Sequence, residues 1–179
     1  MKIAVAAALI AFAPLAANAQ TPANQTPDAK PSGPTCTMAM DTALPAALAA
    51  WTKPEALPAG ASGATQPDIA IGNAYQAQLS PVAAVHYPVA PKKLKDASFG
   101  GVFMLTVEKA GTYTVALDAA AWVDVVHDGQ TVRGLGNSHG LDCSTIRKTV
   151  DFALDPGHYT IEVSSAPRDT AVLMVVPKT

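Results

Sequence analysis

Histidine and cysteine are both scarce, with 4 and 2 residues in a chain of 179. A facial non-haem iron site needs two histidines and a carboxylate on one side of the metal. His86, His127, His139 and His158 supply that only barely, and no His-x-His or His-x-x-x-His pair adds ligand spacing. Charge is sparse too, at 15% of residues and a formal net of −2, with no long block of one sign. A nucleic-acid partner, which needs a basic stripe, is excluded on that ground, as is an electrostatic membrane surface. After the opening residues no apolar stretch of about 18 follows, so no membrane span is expected.

What is present begins with "MKIAVAAALIAFAPLAANAQ". Lys2, an apolar run from Ile3 to Ala13 and the small-x-small ending Ala17-Asn18-Ala19 form the three-part layout of a secretory signal peptide. Cleavage is expected after Ala19, giving a periplasmic or secreted protein. The remaining residues suffice for one domain with a real core. Cys36 and Cys143 both fall in the exported part, where an oxidising compartment favours a disulfide between them. That bridge would tie the N-terminal segment to the polar loop "NSHGLDCSTIRK", residues 137–148.

Residues 20–35 are Pro-rich and polar, with almost nothing to bury, and read as a disordered tether. Residues 36–68 read as a loop and short-helix segment lying on the main domain: Pro45 opens a helical turn in which Leu44, Leu48 and Trp51 share a side. From residue 69 to the end the pattern is β. "IGNAYQAQL", "PVAAVHY", "GVFMLTVE", "TYTVALDA", "AWVDVVH", "QTVRGLG", "KTVDFALD", "GHYTIEVS" and "TAVLMVV" are candidate strands. Alternation sets Phe103, Leu105 and Val107 on one face, as it does Tyr113, Val115 and Leu117, and Tyr159, Ile161 and Val163. Asp128-Gly129 favours a tight hairpin. About nine short strands with turn chemistry between them predict an all-β antiparallel sandwich, jelly-roll-like, with one short N-terminal helical turn.

"AGTYTVAL", "WVDVVHDG" and "DPGHYTIEV" resemble the β-sandwich modules that accompany secreted bacterial enzymes, of the pre-peptidase C-terminal and carbohydrate-binding types, over about residues 70 to 176. That resemblance implies a fold more than an activity. "AWVDVVHDG", "HGLDCSTIRKTVDFAL" and "PGHYTIEV" are also similar to short exported bacterial proteins labelled homogentisate 1,2-dioxygenase. This second resemblance implies an iron(II) enzyme that opens the ring of homogentisate.

His127, His139 and Asp142 are the provisional metal ligands, on condition that the 137–148 loop folds back over the end of the strand that carries His127. The bland alternative leaves His127 beside a turn and His139 in solvent. Cys143 as a nucleophile is excluded by the disulfide, since the thiolate is lost, and Ser144 lacks the strand-turn-helix setting of a hydrolase serine. Arg133, Arg147 and Lys148 can form a small cationic site for a carboxylate or phosphate, arginine's planar fork suiting that task. The competing expectation pairs Arg147 and Lys148 with Asp142 or Asp151. Trp122 shares parity with Asp124 and is expected to face outward, as a sugar platform or beneath the N-terminal segment.

The leading expectation is an exported, non-catalytic binding or accessory module without a cofactor, taking a small-molecule, glycan or envelope-protein ligand. The alternatives are the iron(II) dioxygenase and a structural envelope protein.

Overall fold

A computed structural model describes Cys36 and residues 40–178. The expected leader and tether lie outside the described residues. Twelve strands are present among those described: β1 (Glu55–Pro58), β2 (Asp68–Ile69), β3 (Ala74–Gln78), β4 (Ser80–Pro81), β5 (Phe99–Val107), β6 (Gly111–Leu117), β7 (Trp122–His127), β8 (Gln130–Thr131), β9 (Gly134–Ser138), β10 (Lys148–Leu154), β11 (Gly157–Ala166) and β12 (Thr170–Pro177). They form two sheets, the first in the order β1-β3-β12-β6-β10-β9 and the second β2-β5-β11-β7-β8, with β4 also paired to β5. The all-β sandwich expected from the periodicity is therefore present. No helix among the described residues is long and apolar enough to cross a membrane.

Alternation decides what fills the space between the sheets. Phe103, Leu105, Val107, Tyr113, Val115, Leu117, Val123, Val125, Tyr159, Ile161 and Val163 all belong to one core cluster. Burying each valine, leucine, isoleucine or phenylalanine side chain contributes roughly 1.5–3 kcal/mol. Tyrosine hydroxyls at its rim donate to main-chain carbonyls four residues upstream, Tyr113 to Lys109 and Tyr159 to Asp155, at 2.7 and 2.9 Å. Those bonds let large rings enter the core without leaving a polar atom unsatisfied.

Three features depart from the expectation. β1 runs parallel to β3, and β2 parallel to β5. A parallel pair needs a crossover, and each is made through the other sheet: β2 intervenes between β1 and β3, and β3 between β2 and β5. "PVAAVHY" is not a strand. Pro81 pairs with β5 and His86 makes a single bridge to Ser62, while Val82–Ala84 form a 3-10 turn closed by the Val85 N–H on the Val82 carbonyl at 3.1 Å. Proline at 81 and 88 removes ladder donors at both ends. "QTVRGLG" is not one returning strand but two pieces. β8 completes the hairpin on β7, with Asp128 and Gly129 at φ 48° and 72°, and β9 pairs with β10 in the opposite sheet.

Both outward faces are covered. On the first sheet the 3-10 segment Ala46–Thr52 places Leu48 and Trp51 against Ala74, Ala116, Ile146, Met174 and Val176. The Cys36–Cys143 disulfide is formed, 107 residues apart in sequence. Beside it Asp41 accepts from the Thr145 N–H at 2.8 Å and hydroxyl at 2.7 Å, and the Trp51 indole donates to Thr145 Oγ1 at 2.8 Å. Chain-entropy arguments assign closure of so long a loop up to about 4–5 kcal/mol. Cys143→Ser, measured under matched oxidising conditions, should therefore lower the melting temperature, and an unchanged value would show that Asp41 and Trp51 hold the loop unaided.

Candidate functional site

The chain leaves the second sheet after β8 and enters the first at β9, crossing at Val132 and Arg133. Beside this crossing and the start of β10 lie two adjoining concavities that share Trp122, Asn137 and Lys148. The outer, of about 390 Å³, adds Lys92, Asp124, Arg133 and Leu135. The inner, of about 330 Å³, adds Lys93, Lys95, His139 and Arg147. Trp122, Arg133, Arg147 and Lys148, singled out separately in the sequence, are thus brought to one groove. Both volumes fall in the range of small-molecule sites, roughly 300–1,000 Å³.

Trp122 opens β7 on the outward side, as its parity with Asp124 predicts, and its indole Nε1 donates to Asp124 Oδ2 at 2.8 Å. Among the described residues, two lysine side chains stand against its ring. The Lys93 ammonium stands 4.6 Å and the Lys148 ammonium 4.8 Å from the ring centroid. The negative face of the ring attracts both, each contact contributing about 0.5–1 kcal/mol in exposed settings. Lys148 begins β10 and donates from Nζ to the Ala121 carbonyl at 2.7 Å. Burial, then the neighbouring Lys93 charge, pulls its pKa below the ordinary lysine value, with Asp124 opposing.

The three strap lysines reach the groove because residues 86–98 lie over the outward face of the second sheet. Beneath them Asp124 and Glu162, paired across β7 and β11, are 4% and 1% exposed. Their sheet's own amides are committed to the ladder, so the strap supplies the donors. The Val89 N–H donates to Glu162 Oε1 at 3.0 Å, the Lys92 N–H to Asp124 Oδ2 at 3.1 Å and the Lys95 N–H to Ser165 Oγ at 3.0 Å. Ser164 Oγ donates to the Lys93 carbonyl at 2.8 Å, and Tyr87 OH to the Val163 carbonyl at 3.0 Å. Glu162 Oε2 has no hydrogen-bond partner.

Burial pushes the Glu162 carboxyl up from 4.5 to about 7, against the Val89 hydrogen bond and with a further push from Asp124. The Tyr87 hydroxyl is raised to about 12 by burial and by Glu162. The folded-state value of Glu162 lies above the unfolded one, so its ionisation opposes folding. Stability from this residue is complete below about pH 4.5 and is lost as pH rises through about 7. Glu162→Gln keeps the acceptor for Val89 and removes the charge. It should raise the melting temperature at pH 8, by an amount equivalent to roughly 1–3 kcal/mol, and change it little at pH 4.5. Equal effects at both pH values would contradict the assignment.

His127, His139 and Asp142 do not converge, and no group of three metal-ligating side chains forms among the described residues. His127 is drawn to the β11 end of the second sheet, stacking on Tyr159 at 4.6 Å and hydrogen-bonding the His158 carbonyl at 2.9 Å through Nδ1. His139 lines the cationic groove and Asp142 lies exposed in the loop. Neither Arg147 nor Lys148 pairs with Asp142 or Asp151, because Lys178 and Thr114 take Asp151. Ser144 Oγ is occupied by the Leu141 carbonyl at 2.8 Å and the Ile146 N–H at 3.2 Å.

Besides Ser144, Ser138 is a second serine to weigh as a nucleophile, since Gly136-Asn137-Ser138-His139-Gly140 fits G-x-S-x-G. Ser138 ends an edge strand with no helix after it, and its hydroxyl meets Thr149 Oγ1 at 2.7 Å. The elbow geometry that gives the motif its chemistry is not built there. Also missed are Lys92, Lys93 and Lys95. The only signal was the "PKKLK" string, which reads as an ordinary solvated loop.

No protein-family model matches the chain, and no curated protein matches it. Among solved structures, it is similar to the pre-peptidase C-terminal domain of a collagenase from Bacillus anthracis, at 12% identity over 62% of this chain and 94% of that domain, TM-score 0.37. It is also similar to part of a β-glucosidase from Paenibacillus barengoltzii, at 9% identity over 68% of this chain and 13% of that one, TM-score 0.28.

Proposed function

We propose that the chain is an exported, non-catalytic binding or accessory module and that its ligand, a small molecule or glycan, is taken in the groove at Trp122. The observation that carries this reading is the convergence of Trp122, Arg133, Arg147 and Lys148 on two adjoining concavities. Their charged groups suit holding a ligand more than turning one over. Lysine and arginine keep their proton at neutral pH, and the one carboxylate lining the groove among the described residues, Asp124, is occupied by Trp122 and the strap. Export is supported by the disulfide, a bond that persists in oxidising compartments.

Titration calorimetry of the mature chain against a panel of neutral and acidic oligosaccharides tests the reading. Saturable binding is expected, weakened at least about fivefold, or ~1 kcal/mol, by Arg147→Ala or Arg133→Ala. Both side chains are exposed, so the melting temperature should not change. Iron-dependent oxygen uptake with homogentisate would overturn the reading in favour of the ring-cleaving enzyme. Absence of any ligand would overturn it in favour of a structural envelope role.

A further inference from the structure

The inner concavity is more selective than a generic ligand groove. Lys93, Lys95, Arg147 and Lys148 line it together with His139, and among the described residues no aspartate or glutamate does. In a chain carrying two more acidic than basic groups, that is a local reversal of sign. Three other basic groups do have carboxylate partners: Lys92 stands 3.8 Å from Asp124, Lys178 is 2.6 Å from Asp151, and Arg168 is 3.0 Å from Asp118. Among the described residues no ion pair is formed by Lys93, Lys95, Arg147 or Lys148.

What gathers these cations is not an anion but an aromatic ring and a carbonyl. Trp122 holds the Lys93 and Lys148 ammonium groups against its π system, and the Ala121 carbonyl fixes Lys148. A ring quadrupole and a carbonyl dipole attract cations without cancelling net charge. Two like charges are thereby held close together on one concavity with Arg147, and Asp124 offsets their repulsion only in part. Half-burial of Lys148 raises that cost, which is why its pKa falls. A bound oxyanion would offset the repulsion and complete the site.

We infer that the inner concavity binds the carboxylate, sulfate or phosphate group of a ligand whose uncharged body occupies the outer concavity beside Leu135 and Arg133. The inference rests on the proposed binding role and adds the chemical class of the ligand. Lys148 and Lys93 supply charge, and Arg147 supplies the planar fork that suits an oxyanion. The outer concavity is less cationic, since Asp124 already neutralises Lys92 there. An acidic sugar, with its charge at one edge and hydroxyls and C–H groups elsewhere, has that distribution.

The test follows the Trp122 indole N–H resonance in the ¹⁵N-labelled mature chain during titration with oligogalacturonate, with its fully methyl-esterified form, and with inorganic phosphate and sulfate at constant ionic strength. Oligogalacturonate is expected to bind at least about tenfold tighter than its ester, with an affinity that falls as salt is raised. That preference should disappear in Arg147→Gln, and in Lys148→Met provided the melting temperature is retained. If phosphate or sulfate binds as tightly as the saccharide, the inferred oxyanion chemistry holds and the free ion is its source. Equal binding of the acid and the ester would overturn the anion site while leaving the module's binding role intact. No saturable shift with any of the four probes would overturn both.

Discussion

Two carboxylates lie side by side on a sheet face that looks away from the hydrophobic core. Glu162 and Asp124 are cross-strand partners, both almost wholly buried. A buried carboxylate without donors is costly, and like charges directly opposite one another add to that cost. The sheet cannot supply the donors, because its amides are spent on neighbouring strands. They come from the main chain of residues 89 and 92 and from the Trp122 indole. Satisfying this pair is what lays the strap across the second sheet, turns Trp122 toward Asp124 and delivers three lysines to the groove. The character of the candidate site therefore descends from a stability requirement.

The two outward faces are covered by different physics. On the first sheet the covering is apolar, Leu48 and Trp51 on Met174 and Ala116, and it is backed by the disulfide and by the Asp41 to Thr145 hydrogen bonds. Neither apolar burial nor a disulfide depends on protonation. On the second sheet the covering is held chiefly through hydrogen bonds to ionisable or hydroxyl side chains, among them Glu162, whose ionisation opposes folding. Lys93 and Lys95 are presented to the groove by the strap, whereas Lys148 and Trp122 belong to strands.

Much of the sandwich was legible in the chain. Alternation at Phe103 to Val107, Tyr113 to Leu117 and Tyr159 to Val163 assigned the inner faces correctly, because a strand has a strict period of two and a one-residue slip would bury polar side chains. Asp128-Gly129 marked its hairpin for an equally local reason, tolerance of positive φ. The split of "QTVRGLG" between two sheets was not legible. Gly134 to Ser138 are exposed throughout and carry no burial pattern that would name their partner. Of the site, Trp122, Arg133, Arg147 and Lys148 could be nominated by residue type, but the strap lysines could not. Their positions depend on hydrogen bonds from the strap backbone, which side-chain periodicity does not record.

The sequence by itself determined which residues face the core, where the tight hairpin falls, and that the two cysteines are the natural disulfide pair, since each follows from local periodicity, local backbone preference or a count. Only the tertiary structure decided that His127 and His139 part company, that two ammonium groups stand against Trp122 and that, among the described residues, Lys93, Lys95, Arg147 and Lys148 gather without ion-pair partners. These outcomes are set by contacts between residues tens of positions apart, in which burial, donor supply and charge compete. Such competition is resolved by packing in space and leaves no period in the chain.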